Sequence, residues 1–237
     1  MIPIRDSNPS GTAPIVTVAL IAANVIAFLH QVSLGPDVHE FVLRWGLVPG
    51  IVSRAYIVPG WTPLDTAMRF VSSIFLHGGW LHLIGNMWYL WIFGDNIEDR
   101  FGHFGFLAFY LICGVVASMV HVLANVDSLI PTVGASGAIA GVLGAYLICF
   151  PGARITMLVP VFFLPLFIQF PAVIVLGIWF LTQLSYGSLS LDPALAESGG
   201  VAWWAHVGGF VVGMILVRYI PPRKKRRQHV YHPSFDR

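Results

Sequence analysis

Charge is what this chain has least of. Lysine, arginine, aspartate and glutamate make up 10% of its 237 residues, against roughly 25% in an ordinary soluble domain. Hydrophobic residues make up 57%, with a mean hydropathy of +0.77. A water-facing globular surface is excluded. Cysteine is nearly as scarce: Cys113 and Cys149 both lie inside apolar runs, so no disulfide framework is expected and no redox compartment is indicated. The chain has no H-E-x-x-H, and among its nine histidines His77 and His82 are five apart, with no carboxylate or thiolate at matching depth. That spacing argues against a metal centre, and no cofactor is expected. No internal repeat and no charged path across the apolar blocks points to a transporter. The first apolar segment lacks a clear small-residue cleavage site and reads as a retained span, not a signal peptide.

What is present is a series of apolar blocks near the ~20 residues that a bilayer span needs. They predict an all-α polytopic membrane protein with a bundle of six transmembrane helices. The expected helices run over about 14–34, 79–93 (continuing to 97), 104–124, 134–150, 157–184 and 201–220. Helix 5 would hold Pro160, Pro165 and Pro171 and be kinked by them. Residues 1–13 read as a polar, mobile cytoplasmic tail, 14–220 as the membrane domain, and 221–237 as a basic cytoplasmic tail. The connection between helices 1 and 2, about 35–70, holds Trp45, Tyr56 and Trp61 and is amphipathic. Short helices lying in the interface are expected there. Six spans place both termini on one side. Ten of the 13 lysines and arginines then fall on that side, leaving only Arg44, Arg54 and Arg69 opposite. The excess of cations puts both ends in the cytoplasm, in a plasma or inner membrane. The run Arg223-Lys224-Lys225-Arg226-Arg227 is read as an anchor beside anionic lipid; no nucleic-acid partner is expected.

With that orientation, a few polar residues share one depth near the outer face. The stretch Gly134-Ala135-Ser136-Gly137 opens helix 4, and Ser136 sits at the edge of a stripe formed by Gly137, Ala140, Gly141 and Gly144. Small stripes allow close backbone approach inside a bilayer. The first turn of a helix also offers free N–H groups and the positive end of its dipole. His206 lies near the start of helix 6 on a seam with Gly209 and Gly213; His82 and Asn86, four apart, share a face of helix 2. Polar and ionisable groups inside spans are costly and usually functional. A serine hydroxyl needs a base to act as nucleophile, and neutral histidine suits that task. No acidic residue lies in the outer part of helices 2, 4 or 6, and nothing points Asp127 inward. A Ser136–His206 dyad is therefore expected, with His82, Asn86 and the Ser136 N–H available to a developing oxyanion.

These segments resemble the rhomboid family of intramembrane serine proteases. The resemblance rests on His77-Gly78-Gly79-Trp80-Leu81-His82-Leu83-Ile84-Gly85-Asn86, on Gly134-Ala135-Ser136-Gly137, and on Ala205-His206-Val207-Gly208-Gly209 with Gly213. The stretch from Gly94 through Glu98-Asp99-Arg100 to Gly102 also resembles the family's Glu-x-Arg turn. The resemblance implies cleavage of single-pass membrane proteins within or beside their transmembrane segment. Ser136 would be nucleophile, His206 general base and acid, His82 and Asn86 oxyanion donors, and His77 a supporting position. It also implies a gate between helices 2 and 5, where Tyr89, Trp179 and Phe180 are the bulky closing residues, and a cap in the loop before helix 6. The alternative is a catalytically inactive rhomboid-like chaperone or dislocation factor, but such relatives lose the serine or histidine kept here. The chain departs from the family in one place. Many members carry an aromatic four residues after the serine, stacked on the histidine; this chain has Ala140, so another side chain must hold His206.

Overall fold

The computed structural model of the chain describes residues 2–54, 62–161, 164–191 and 201–221. The Gly199-Gly200 pair, which the sequence marks as a hinge in the loop before helix 6, and the basic tail beyond 221 lie outside the described residues.

Helix α1 (Ile15–Ser33) buries Thr17, Leu20, Asn24, Phe28 and Gln31, the three-and-four spacing of a single face. Its other face exposes apolar residues such as Ile15, Ile26 and Leu29. Polar groups turned inward and apolar groups outward reverse the pattern of a soluble helix and suit a surface that meets lipid. Among the described residues, α1, α6 (His103–Ala124) and α8 (Ala172–Leu189) are long and apolar enough to cross a membrane. At ~1.5 Å per residue they cover ~27–33 Å, close to the ~30 Å hydrocarbon core. Three further helices complete the bundle: α5 (Trp80–Phe101), α7 (Ser136–Cys149) and α9 (Trp203–Tyr219).

Helix α7 is the axis of the molecule. Every residue from Gly137 to Tyr146 is buried, and α9 and α6 are its main neighbours. The small stripe read from the sequence is the reason α9 can pack so closely. A Cβ on Gly209 would sit 2.0 Å from the Gly137 carbonyl oxygen, and one on Gly213 2.0 Å from that of Gly141. Neither position accepts a side chain without forcing the helices apart.

The connection from α1 to α5 forms short helices, as expected: α2 (Val38–Trp45), α3 (Pro49–Val52) and α4 (Pro63–Ser72). Tyr56 and Trp61 lie outside the described residues. Thr62 and Asp65 form a capping box at the start of α4. The Thr62 hydroxyl and N–H hold the Asp65 carboxyl below its ordinary range. Buried Arg69 donates to the carbonyls of Leu43 and Gly46. Leu47 and Thr132 exchange backbone hydrogen bonds, the Gly50 N–H reaches the Ser128 carbonyl, and the Gly134 N–H reaches that of Ser73. The turn leading into Ser136 is thereby tied to this segment.

Three expectations need correction. The chain is not all-α: the residues expected to open helix 5 form a hairpin of β2 (Arg154–Val161) and β3 (Leu164–Pro171). Residues expected to be a mobile tail supply β1 (Ile2–Asp6), giving an antiparallel sheet of order β1-β2-β3. The prolines decide this locally. Pro160 faces Pro165 beside the hairpin tip, beyond the reach of β1, whose last partner on β2 is Leu158. There a missing N–H costs no ladder bond on the outer edges. Pro171 precedes the first turn of α8 and does not kink it. Strand β1 is fixed to the bundle by hydrogen bonds from Trp88 Nε1 to the Pro3 carbonyl and from the Tyr146 hydroxyl to Asp6.

The stretch from Gly94 to Gly102 is also not a turn. It stays helical to Phe101 and breaks at Gly102, whose φ of 72° lies in the left-handed region that glycine adopts freely. Glu98 is thus carried on the last turns of α5, fully buried. Its carboxylate accepts from the N–H groups of Val16 and Thr17 at 2.8 Å each and from the Thr17 hydroxyl at 2.7 Å. No side chain of α1's own caps its N-terminus; Glu98 satisfies those orphan donors from another helix.

Candidate active site

Ser136 begins α7, where the backbone arrives through Gly134. That glycine has φ 131°, and a Cβ on it would fall 2.8 Å from the His82 ring. No other residue type fits both the backbone conformation and the ring beside it. His206 lies in the first turn of α9. Because Gly137, Gly209 and their neighbours let α7 and α9 touch backbone to backbone, the two side chains meet. His206 Nε2 stands 2.8 Å from Ser136 Oγ, within reach for proton transfer.

His82 and Asn86 come up from α5 on the other side of Gly134. The position a Gly134 Cβ would occupy is 3.6 Å from Asn86 Nδ2. Asn86 is buried and its Nδ2 has no hydrogen-bond partner among the described residues, so a donor faces the serine turn. The Gly78 N–H faces His82 Nδ1 at 3.4 Å. That weak contact makes Nδ1 the acceptor and leaves the proton on Nε2, the atom nearer Gly134. His77 precedes the helix; its ring sits edge-on to His82 at 5.1 Å. Gln31 of α1 clamps its backbone, accepting from the His77 N–H at 2.9 Å and donating to its carbonyl at 3.2 Å. Asp127 lies far from this group in character: it is exposed and paired with Arg54.

Sequence reasoning missed Gln183. This buried residue of α8 brings its Oε1 to 2.8 Å from His206 Nδ1. Trp179, one helical turn earlier, lies over His206 with ring centroids 5.9 Å apart and planes at 35°. Trp203 meets the same imidazole edge-on at 6.2 Å. These three surround the ring where Ala140 leaves no aromatic. Phe180 stacks on Phe210 at 4.7 Å, whereas Tyr89 packs on Phe93 of its own helix. The bulky residues expected to close a seam between α5 and α8 therefore commit their rings elsewhere, Trp179 and Phe180 to α9. The signal for Gln183 was slight: it is one of several neutral polar residues in the second half of α8, four after a tryptophan.

The family model for the rhomboid domain matches residues 65–223. The chain belongs to the rhomboid family. This rhomboid protein is 30% identical over 209 residues to the human presenilin-associated rhomboid-like protein, mitochondrial, covering 84% of its own length and 47% of the relative's. It is 29% identical over 218 residues to rhomboid protein 1, mitochondrial, of Saccharomyces cerevisiae, covering 89% and 55%. With RHOMBOID-like protein 5 of Arabidopsis thaliana it shares 44% over 79 residues, 33% of this chain and 26% of the other. The rhomboid chain thus spans about half the length of the human and yeast relatives it matches.

Proposed function

We propose that this chain is an intramembrane serine endopeptidase that cleaves single-pass membrane proteins within or next to their transmembrane segment. The observation that carries the reading is the 2.8 Å contact between Ser136 Oγ and His206 Nε2. In the reaction, Ser136 Oγ attacks the scissile carbonyl as its proton passes to His206 Nε2. The oxyanion that forms accepts from Asn86 Nδ2, His82 Nε2–H and the Ser136 N–H. His206 then protonates the leaving amine, and water activated by the same imidazole releases the acyl group. Family membership supports this chemistry, as does the retention of both serine and histidine.

The same reading takes α1, α5, α6, α7, α8 and α9 as six membrane-crossing helices, with α2 to α4 lying in the interface. The cation asymmetry supports both termini on the cytoplasmic side and a site opening to the opposite face. A plasma or inner membrane fits that orientation. The human and yeast relatives are mitochondrial by name, so a mitochondrial membrane is the competing residence.

A fluorophosphonate probe and a model transmembrane substrate test the proposal. Wild-type protein is expected to be labelled and to cleave. Ser136→Ala and His206→Ala should remain folded, lose cleavage and, for Ser136→Ala, lose the label. Asp127→Asn should cleave like wild type, because its partner is Arg54 at the surface. An unlabelled, inert wild type would move the chain to the non-proteolytic rhomboid-like class. A loss of several hundred-fold in Asp127→Asn would replace the dyad with a carboxylate triad.

A further inference from the structure

Resting on the serine-protease reading above, we infer that Gln183 is the positioning residue that sets the tautomer and ring orientation of His206. A dyad base must present a bare Nε2 to the serine, which requires the proton on Nδ1. A glutamine can enforce that only if its oxygen, not its nitrogen, faces the ring. The surroundings of Gln183 settle which atom does. Its Nε2 lies 3.1 Å from the Trp179 carbonyl oxygen and 3.1 Å from Thr182 Oγ1. The Thr182 hydroxyl donates its own proton to that same carbonyl at 2.6 Å, so its oxygen offers lone pairs to the amide. Both neighbours of Nε2 are acceptors. Turning the amide over would set Oε1 against two acceptors and lose both bonds. Oε1 therefore faces His206 Nδ1 and, being a carbonyl oxygen, can only accept.

The consequence runs through the ring. Nδ1 keeps its proton on Gln183, Nε2 is left with its lone pair, and the Ser136 hydroxyl donates to it. An imidazole with the opposite tautomer would donate to Ser136 Oγ and could not take its proton. The arrangement is that of a serine–histidine–carboxylate triad with a neutral amide as third member. It orients the base but adds no charge to stabilise the imidazolium. The two tryptophans beside His206 restrict the ring's tilt; neither contact distinguishes its two nitrogens. Gln183 alone among the described neighbours does that.

The test pairs two substitutions with two readouts. In [15N]histidine-labelled protein reconstituted in liposomes, the His206 signals are assigned by comparison with His206→Ala. Wild type should show the Nδ1–H tautomer, and Gln183→Met, of similar length but without an acceptor, should show a mixture or the Nε2–H form. This readout needs no activity, so it judges the inference even if the protease reading fails. On a transmembrane substrate, Gln183→Met should lower kcat about 10- to 100-fold, less than the ~10⁴-fold that follows when a triad's charged orienting member is replaced, and leave KM within about twofold. Gln183→Glu restores the acceptor toward Nδ1 but not the two bonds that Nε2 donates, and should recover part of the kcat lost in Gln183→Met. Its negative charge raises the proton affinity of the imidazole, and catalysis needs the neutral base. The acidic limb of kcat/KM should therefore move to higher pH. The titratable groups acting on His206 from other helices are His82 of α5 and His121 of α6. Both are unchanged by these substitutions, so a shifted limb belongs to position 183. An Nδ1–H tautomer retained in Gln183→Met, or a Gln183→Glu protein that folds yet neither recovers kcat nor shifts the limb, would overturn the inference.

Discussion

Asn86 holds a buried amide nitrogen with no acceptor among the described residues. Leaving such a donor unmatched costs about 1–3 kcal/mol, and a fold tolerates that where another molecule is to supply the acceptor. It stands beside Gly134, two residues before Ser136, with the His82 ring on the same side. A substrate carbonyl oxygen polarised by attack would satisfy both. Removing one donor of this kind typically costs about 10²–10³ in rate. Asn86→Ala and His82→Ala should each lower kcat by that order and change KM little, because the contact is complete only in the transition state. Steady-state kinetics on a transmembrane substrate separates the alternatives: a loss confined to KM would make them substrate-binding groups. His82→Ala also removes one of the two ring contacts of His77, so Asn86→Ala is the cleaner measurement. At this scale the sequence was most legible. Serine, both histidines and the asparagine stand out because polar residues in apolar helices are rare. Gln183 did not stand out. It is neutral, its partner lies 23 residues away, and no spacing rule connects a residue on α8 with one on α9.

Among the elements, α1 depends on a residue 81 positions further along the chain: Glu98 caps the Thr17 N–H. Glu98→Ala would strand the Val16 and Thr17 donors, each worth about 1–3 kcal/mol when buried and unpaired. The variant should unfold at clearly lower temperature in detergent, and Glu98→Gln, which keeps one accepting oxygen, should fall between. Thermal unfolding at matched detergent concentration checks this; equal melting of all three would remove the cap from the account. Helices 1, 3, 4 and 6 were readable from apolar run length, with ends within a few residues of the expected ones; helix 2 runs on to Phe101, and helix 5 begins only at Ala172. The sheet was not readable. From Ile155 to Leu191 the chain carries no charged residue, and an unbroken apolar run near a membrane length reads as helix. What turns its first half into strands is pairing: β2 lies between β3 and the N-terminal β1. That partner is about 150 residues distant in sequence, and long-range pairing leaves no local trace beyond the prolines.

For the whole molecule, the proposed protease reading requires that a peptide bond inside a lipid-embedded segment reach Ser136. The glycine seam makes α7 and α9 a rigid pair, because backbone contacts at the closeness seen between Gly209 and Gly137 leave nothing to give. Helix α8 is held differently. Only 22% of its candidate span is buried, against 44% for α6, so it is the less committed of the two. Its main partner is α9, and α5 is not among its principal neighbours. Opening between α5 and α8 would therefore break few contacts. It would also draw Trp179 and Gln183 away from His206, so on the proposed protease reading α8 would have to move out to admit the segment and return before the base is oriented. Cysteines introduced on facing turns of α5 and α8 and oxidised to a disulfide should stop cleavage of a transmembrane substrate until reduced. Labelling of Ser136 by a small fluorophosphonate should persist in the crosslinked protein, since the closed position of α8 is the one that holds His206. Loss of labelling together with cleavage would mean that the crosslink distorts the site. Full cleavage with the crosslink closed would instead place entry above the bundle, through the loop before α9.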